Sequence, residues 1–261
     1  MQLSFSKYQG TGNDFIILDG WNSEISISAE QVKYCCDRRF GIGADGLMII
    51  RKHPTFDFEM IYFNSDGLPS SMCGNGGRCL VHFAFKRKYI GTSTQFLAID
   101  GVHEADVLPN DIISLKMNAV STIEKKENDY YLNTGSPHFV LKVDAIQELD
   151  VVANGRKIRN NEEFKSEGTN VNFVQEMEDG IMVRTYERGV ENETLSCGTG
   201  VTAAALVAAD LFNKEKRKKE SINIKTLGGA LKVTFNRNEN LFDEIRLIGP
   251  AIFVYEGVIK L

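Results

Sequence analysis

The chain repeats itself once, and the repeat restricts its folds more than any other feature. The segment YFNSDGLPSSMCGNGGRCLVHFA at 62–84 aligns without a gap to YERGVENETLSCGTGVTAAALVA at 186–208, an offset of 124 residues. A second pair, TGNDFIIL at 11–18 and TGSPHFVL at 134–141, lies at an offset of 123, and a looser third pair is Gly43-Ala44-Asp45 against Gly168-Thr169-Asn170. Matched pairs in one order, at nearly one offset, predict two domains of like fold. The 261 residues are long enough for two domains of about 130 residues each. The boundaries expected are 1–118 with 251–261 for the first domain and 119–250 for the second.

Short strands dominate the reading. Period-two alternation runs through 56–62 and 231–235. Strand-like segments also occur at 3–7, 15–18, 47–51, 96–99, 112–117, 139–143, 171–175, 181–185 and 222–225. Four stretches read as helices: 29–39 capped by Ser28, 73–89, 145–151 and 197–212. Strands and helices do not alternate regularly, so mostly antiparallel α+β is expected over a doubly wound parallel sheet. The basic run 214–220 reads as a solvated loop. The pattern G-x-G-x-x-G at 41–46 has a helix before it and a strand after it. That is the reverse of a dinucleotide-binding turn, so the pattern is set aside.

Composition narrows the function. With 30 Lys and Arg against 35 Asp and Glu, the chain lacks the basic excess that phosphate backbones demand, and nucleic acid is not an expected partner. No apolar run approaches the ~18 to 20 residues of a membrane helix, and a membrane partner is not expected either. The five cysteines, Cys35, Cys36, Cys73, Cys79 and Cys197, are odd in number and form no CxxC pair. A reducing cytoplasm is therefore expected rather than a disulfide framework, and a metal site is not. Cys35, Cys36 and Cys79 read as core or helix-face residues.

Cys73 and Cys197 are different, because each opens a helix within C-G-x-G at matching places in the repeat. The amides that follow, at Gly74 and Asn75 and at Gly198 and Thr199, start their helices and suit an anion. A helix N-terminus also makes a thiol more acidic. If matching loops of two domains face each other across a cleft, one thiolate can take a proton from one face of a carbon while one thiol gives a proton to the other. That exchange inverts a stereocentre, and no lysine need carry a pyridoxal Schiff base, so no cofactor is expected. A cysteine hydrolase pairing Cys73 with His138 would leave the second C-G-x-G unexplained. A binding module would hold a ligand without exchanging its α-hydrogen.

Along nearly its whole length the chain resembles the diaminopimelate epimerase family. The matching motifs are GNDF at 12–15, FGIGADG at 40–46, MCGNG-x-RC at 72–79, GSPH at 135–138, EGTNVNF at 167–173, RTYERGV at 184–190, CGTG at 197–200 and LGGAL at 227–231. The resemblance implies cofactor-independent inversion of LL-2,6-diaminoheptanedioate to the meso form, a step toward lysine and peptidoglycan precursors. It implies two similar domains, each a sheet around a central helix, with 251–261 returning to the first. Cys73 and Cys197 match the catalytic pair, with Cys73 acting on the LL form. Gly74, Asn75, Gly198 and Thr199 match groups at the reacting carboxylate. Asn13, Asn64, Asn170, Glu187 and Arg188 match groups that hold the rest of a small diamino dicarboxylate, and Arg188 suits a bidentate grip on its far carboxylate. His138 and Glu187 match residues that tune the cysteines. Ser136 stands where many members have Asn, Gly46 where some have Gln, and 189–196 is one residue longer than the commoner form. A homodimer stays open. Proline racemase and hydroxyproline epimerase resemble the chain in fold and cysteine pair, but their first loop typically reads C-G-H-G and they need no second carboxylate site.

Overall fold

The structure is a computed structural model that describes residues 2–212, 218–239 and 241–261. Its elements begin with β1 (Gln2–Gly10), β2 (Asn13–Asp19), α1 (Ala29–Cys36), β3 (Gly46–Arg51) and β4 (Phe58–Asn64). Next come α2 (Gly74–Lys86), β5 (Ser93–Ala98), β6 (Gly101–Leu108) and β7 (Ile112–Lys116). Then follow β8 (Ile123–Lys126), β9 (Asp129–Asn133), β10 (Pro137–Lys142), α3 (Val151–Arg159), β11 (Asn170–Met177) and β12 (Gly180–Glu187). The chain ends with β13 (Asn192–Thr194), α4 (Gly198–Leu211), β14 (Lys219–Thr226), β15 (Gly229–Asn238), β16 (Leu241–Pro250) and β17 (Ile252–Lys260).

The chain divides into two compact units, Met1–Leu115 with Gly249–Leu261, and Lys116–Ile248. In the first, the strands run side by side as β17-β1-β2-β3-β4-β5-β6-β7. Neighbours are antiparallel except β2–β3 and β4–β5. In the second, the order is β8-β9-β10-β11-β12-β14-β15-β16, antiparallel except β10–β11 and β12–β14. The short β13 folds back onto β12. Both units therefore have one strand order, with parallel joints at corresponding places. The mostly antiparallel α+β fold expected from the irregular succession of strands and helices is the fold observed.

Each sheet curls round one helix. In the first unit α2 packs on β1, β2, β3 and β6, and in the second α4 packs on β9, β10, β11, β12, β14 and β15. A helix enclosed in this way is buried on every side and is built mostly of apolar or small residues. Accordingly α2 is buried from Gly74 through Ala84, and α4 from Gly200 through Ala209. The outer helices are amphipathic by contrast. Val32, Cys35 and Cys36 of α1 join a core with Leu47 and Ile49, while Val151 of α3 packs with Val171, Phe173 and Tyr186.

Two helix boundaries differ from the sequence reading. The first helix stops at Cys36 rather than 39, because Asp37 turns extended and its carboxylate takes the Arg39 and Phe40 amides. The third begins at Val151, where the reading ended it. Asp150 caps the Ala153 amide at 2.9 Å, and the helix runs on through Gly155, whose missing side chain admits the Tyr186 ring. Strands β6, β8, β9, β13 and β16 had no counterpart in the reading. Charged residues such as those of HEAD at 103–106 and DEIR at 243–246 interrupt their apolar alternation. Of the basic run 214–220, positions 214–217 lie outside the described residues.

Candidate active site

Cys73 and Cys197 are the N-cap residues of the two central helices. Both have extended backbone, and neither side chain makes a capping hydrogen bond. The first helical bonds are donated by Gly77 to the Cys73 carbonyl at 2.7 Å and by Val201 to the Cys197 carbonyl at 2.9 Å. The amides of 74–76 and 198–200 thus precede the helical ladder and carry the positive end of the dipole. Cys73 is half-buried and Cys197 is 7% exposed.

Around Cys73 the first unit assembles Asn13, Asn75 and two linked loops. Thr11 and Gly12 both have positive φ between paired Gly10 and Asn13, a tight type I′-like hairpin that sets Asn13 at the start of β2. The Cys73 Sγ lies 3.5 Å from Asn13 Oδ1, and Asn75 Nδ2 donates to the same oxygen at 3.4 Å. Asn13 Nδ2 donates to Asp45 at 2.6 Å. Asp14 ties the loop down further: Lys7 reaches it at 2.8 Å and Arg38 grips both its oxygens at 2.7 and 3.0 Å, while also holding Asp45 at 2.8 Å. Burial raises the Asp14 pKa, but Arg38 and Lys7 outweigh burial and bring it to about 2. The GNDF and FGIGADG motifs are thereby one ion-paired brace. Asn64 ends β4 opposite Gly46. A Cβ at Gly46 would come within 2.6 Å of the Tyr62 ring and 2.7 Å of the Phe63 carbonyl, so this backbone has no room for a larger side chain such as Gln.

The second unit treats the same positions differently. Where Phe15 and Met48 crowd Gly76, the corresponding strands carry His138 and Asn172, and Asn172 crowds Gly200. A Cβ on Gly200 would fall 2.4 Å from Asn172 Oδ1 and 3.4 Å from Cys197 Sγ. Asn172 Oδ1 accepts from Thr185 at 3.0 Å, and Asn172 Nδ2 faces the Phe139 carbonyl at 3.4 Å and His138 Nδ1 at 3.0 Å. A carbonyl only accepts, which fixes the amide orientation and makes His138 Nδ1 the acceptor. His138 is then the Nε2–H tautomer, and Nε2 has no hydrogen-bond partner among the described residues. Burial, with the Arg188 charge second, brings the His138 pKa down to about 3, so the ring is neutral.

Asn170, Glu187, Arg188 and Ser136 meet at one end of β10, β11 and β12. Asn170 Nδ2 donates to Ser136 Oγ at 2.9 Å and the Pro137 carbonyl at 3.0 Å, while its oxygen takes the Arg188 amide at 2.9 Å. Asn170 therefore ties three strands together and seats both Ser136 and Arg188. The exposed Arg188 guanidinium donates to the Glu167 carbonyl at 3.0 Å. Glu187 accepts from Thr194 at 2.8 Å. The Thr199 carbonyl takes the Thr134 hydroxyl at 2.9 Å, and its Oγ1 lies 3.5 Å from Cys197 Sγ. Sequence reasoning passed over Asp14, Arg38, Arg78, Asn172 and Thr185. All five lie in or beside the quoted motifs, Asn172 in EGTNVNF and Thr185 in RTYERGV, so their signal was present.

Comparison with known proteins decides the family. The diaminopimelate epimerase family model matches residues 5–121 and 130–254. The chain belongs to the diaminopimelate epimerase family. A family member from Flavobacterium psychrophilum is 48% identical over 258 residues, covering 97% of this chain and 98% of that protein. One from Aquifex aeolicus is 40% identical, covering 98% and 97%. Membership makes the chain an isomerase of the epimerase type. Among solved structures, a Bacillus anthracis phenazine biosynthesis protein of the PhzF family superposes with a TM-score of 0.81 at 13% identity, each chain fully covered. A hydroxyproline epimerase from Agrobacterium vitis gives 0.68 at 14% identity, covering 100% of this chain and 93% of that one. These two likenesses speak for the fold alone. No helix among the described residues is long and apolar enough to cross a membrane.

Proposed function

We propose that the protein interconverts LL-2,6-diaminoheptanedioate and its meso form by two-cysteine acid/base chemistry, in the synthesis of lysine and peptidoglycan precursors. The observation that carries this reading is the pair of central helices, each opened by an N-cap cysteine within C-G-x-G that makes no capping bond. Family membership supplies the substrate. In this scheme one sulfur, as thiolate, takes the α-proton while the other, as thiol, delivers a proton to the opposite face. The helix amides of Gly74, Asn75, Gly198 and Thr199 hold the reacting carboxylate and stabilise the charge that develops during deprotonation. Asn13, Asn64, Ser136, Glu187 and Arg188 hold the non-reacting end, with Asn170 seating Arg188. His138, neutral and held by Asn172, and Glu187 set the environment of the cysteines. The odd number of cysteines and the lack of a CxxC pair support a reducing cytoplasm as the place of action.

Proton NMR of LL-diaminopimelate with the protein in heavy water tests the reading. The α-proton signal should fade and the meso isomer should appear without added pyridoxal phosphate. Cys73→Ala and Cys197→Ala should each abolish epimerisation, since acid and base are both required. Wild type that racemises proline and leaves diaminopimelate untouched would replace this reading with the proline racemase one.

A further inference from the structure

Among the described residues Arg78 is the one fully buried arginine, and it lies in the core around α2. It is 0% exposed, and among the described residues no carboxylate pairs with it. Its guanidinium folds back along α2 to the first turn. NH1 donates to the Gly74 carbonyl at 3.1 Å, and NH2 donates to Asn75 Oδ1 at 3.0 Å and Thr11 Oγ1 at 3.4 Å, while Nε has no partner among the described residues. A guanidinium does not give up its proton in a protein, and a buried charge without a counter-ion is costly. A cation kept in such a place wants an anion close by.

The second unit supplies the contrast. Five residues after Cys197, where Arg78 stands five after Cys73, is Thr202. Its hydroxyl donates to the Gly198 carbonyl at 2.9 Å, the counterpart of the Gly74 carbonyl that Arg78 takes. One central helix thus carries a buried positive charge under its opening cysteine, and the other carries a neutral hydroxyl.

We propose that Arg78 is a positioning residue for the epimerase reaction, whose buried charge makes Cys73 the more acidic of the two catalytic thiols, so that the resting protein holds Cys73 as thiolate and Cys197 as thiol. The proposal rests on the two-cysteine reading above. Starting from that state, the Cys73 thiolate takes the α-proton of the LL substrate and becomes a thiol. The Cys197 thiol gives its proton to the opposite face and becomes a thiolate. Solvent exchange then moves one proton between the sulfurs and restores the start. Arg78 has a second effect, because its bond to Asn75 Oδ1 turns Asn75 Nδ2 outward toward Asn13.

Other groups facing Cys73 pull in both directions. Asn13 Oδ1 accepts from the thiol form and opposes the thiolate, and behind it stand Asp45 and the Asp14 brace. Asp100, bonded to the Met72 amide at 3.1 Å and to His103 at 3.2 Å, adds negative charge one residue away. Cys79 stays a neutral thiol, pushed by burial to about 12. Tyr8, on β1 against α2, is likewise pushed up to about 12 by burial. His82, Lys86 and Asp111 gather at the far end of α2. Arg78 and the helix N-terminus are the positive groups at the opening turn.

The test is the pH dependence of iodoacetamide alkylation, with the modified cysteine identified by peptide mass. Cys73 is titrated in Cys197→Ala and Cys197 in Cys73→Ala. With Arg78 in place, the Cys73 midpoint should lie below that of Cys197 by about one pH unit or more, the shift a nearby charge gives. Adding Arg78→Gln keeps donors for Gly74 and Asn75 but removes the charge; it should raise the Cys73 midpoint by about one unit or more and leave Cys197 unmoved. Arg78→Lys keeps the charge and should stay near wild type. A folded Arg78→Gln protein with an unchanged Cys73 midpoint overturns the inference, as does Cys197 titrating first with Arg78 present. The latter comparison decides the matter even where Arg78→Gln does not fold. No substrate enters these titrations, so failure of the two-cysteine reading shows separately, as wild type that leaves the α-hydrogen of LL-diaminopimelate in place.

Discussion

Arg188 and His138 show how differently two charged or chargeable side chains can serve one strand end. Arg188 is exposed, its amide held by Asn170 and its guanidinium by a single carbonyl bond, so most of its fork faces solvent. That suits a residue that grips a carboxylate bidentately. Arg188→Ala should lower kcat/KM for LL-diaminopimelate by about a hundredfold or more, since ~1.4 kcal/mol is tenfold, and Arg188→Lys should also be poor. Steady-state kinetics on the three proteins check this, with an unchanged kcat/KM counting against the far-carboxylate role. His138 is instead kept neutral by burial. An unfolded chain takes up its imidazole proton as pH falls below the ordinary 6.5, whereas burial delays uptake in the folded protein to about 3. The folded pKa is the depressed one, so the stability linked to this site is full above 6.5 and declines as pH drops toward 3. In His138→Gln the melting temperature should fall less steeply than in wild type across that window. Parallel curves for the two proteins would refute the buried neutral ring.

At the scale of the element, both central helices give up a capping bond where the chemistry is proposed. Ser, Thr, Asp and Asn cap helices well because a side-chain oxygen takes an amide of the first turn, and cysteine is a poor substitute. α1 and α3 elsewhere in the chain use Ser28 and Asp150 in the usual way. Cys73→Ser should therefore stabilise the protein by about 0.5–1 kcal/mol while abolishing epimerisation, because a hydroxyl is far less acidic than a thiol. Thermal melts and the heavy-water exchange assay measure the two effects, and a serine variant that is active, or less stable, contradicts the account. The same helices stand out in the sequence, since mostly small and apolar residues follow each cysteine. Helix α3 was the hardest to read. Its core-facing residues are Val151, Gly155 and a half-buried Ile158, and the polar residues between them hide the period.

For the whole molecule, the chain ends meet in one unit. β17 pairs with β1 along its length, Tyr255 sets its ring edge-on against Phe5 at 5.8 Å, and Phe253 does so against Tyr8 at 5.6 Å. Phe5 and Tyr8 are core residues of the first unit, so β17 covers that core late in the chain. Deleting 251–261 should therefore expose β1 and β2 to hydrogen exchange while β10 and β11, in the other unit, keep their protection. Exchange mass spectrometry reads both at once. Equal loss of protection in both units would show that the two do not hold their structure separately.

The sequence by itself determined the α+β class, the doubling of the fold, the two helix-opening cysteines and the family. Each of these is written locally, in periodicity, in residues that start helices and in an order of motifs. Which way a side chain turns was decided only by the tertiary structure. Asn170 reads from its motif as one of the substrate-binding groups; that it also ties β10, β11 and β12 together follows only from the fold, because strands far apart in the chain bring Ser136, Pro137 and Arg188 to its amide. Arg78 reads as one letter of a motif. Its meaning comes from burial beside Gly74, Asn75 and Thr11 without a counter-ion, and burial belongs to the packed molecule rather than to any segment of it.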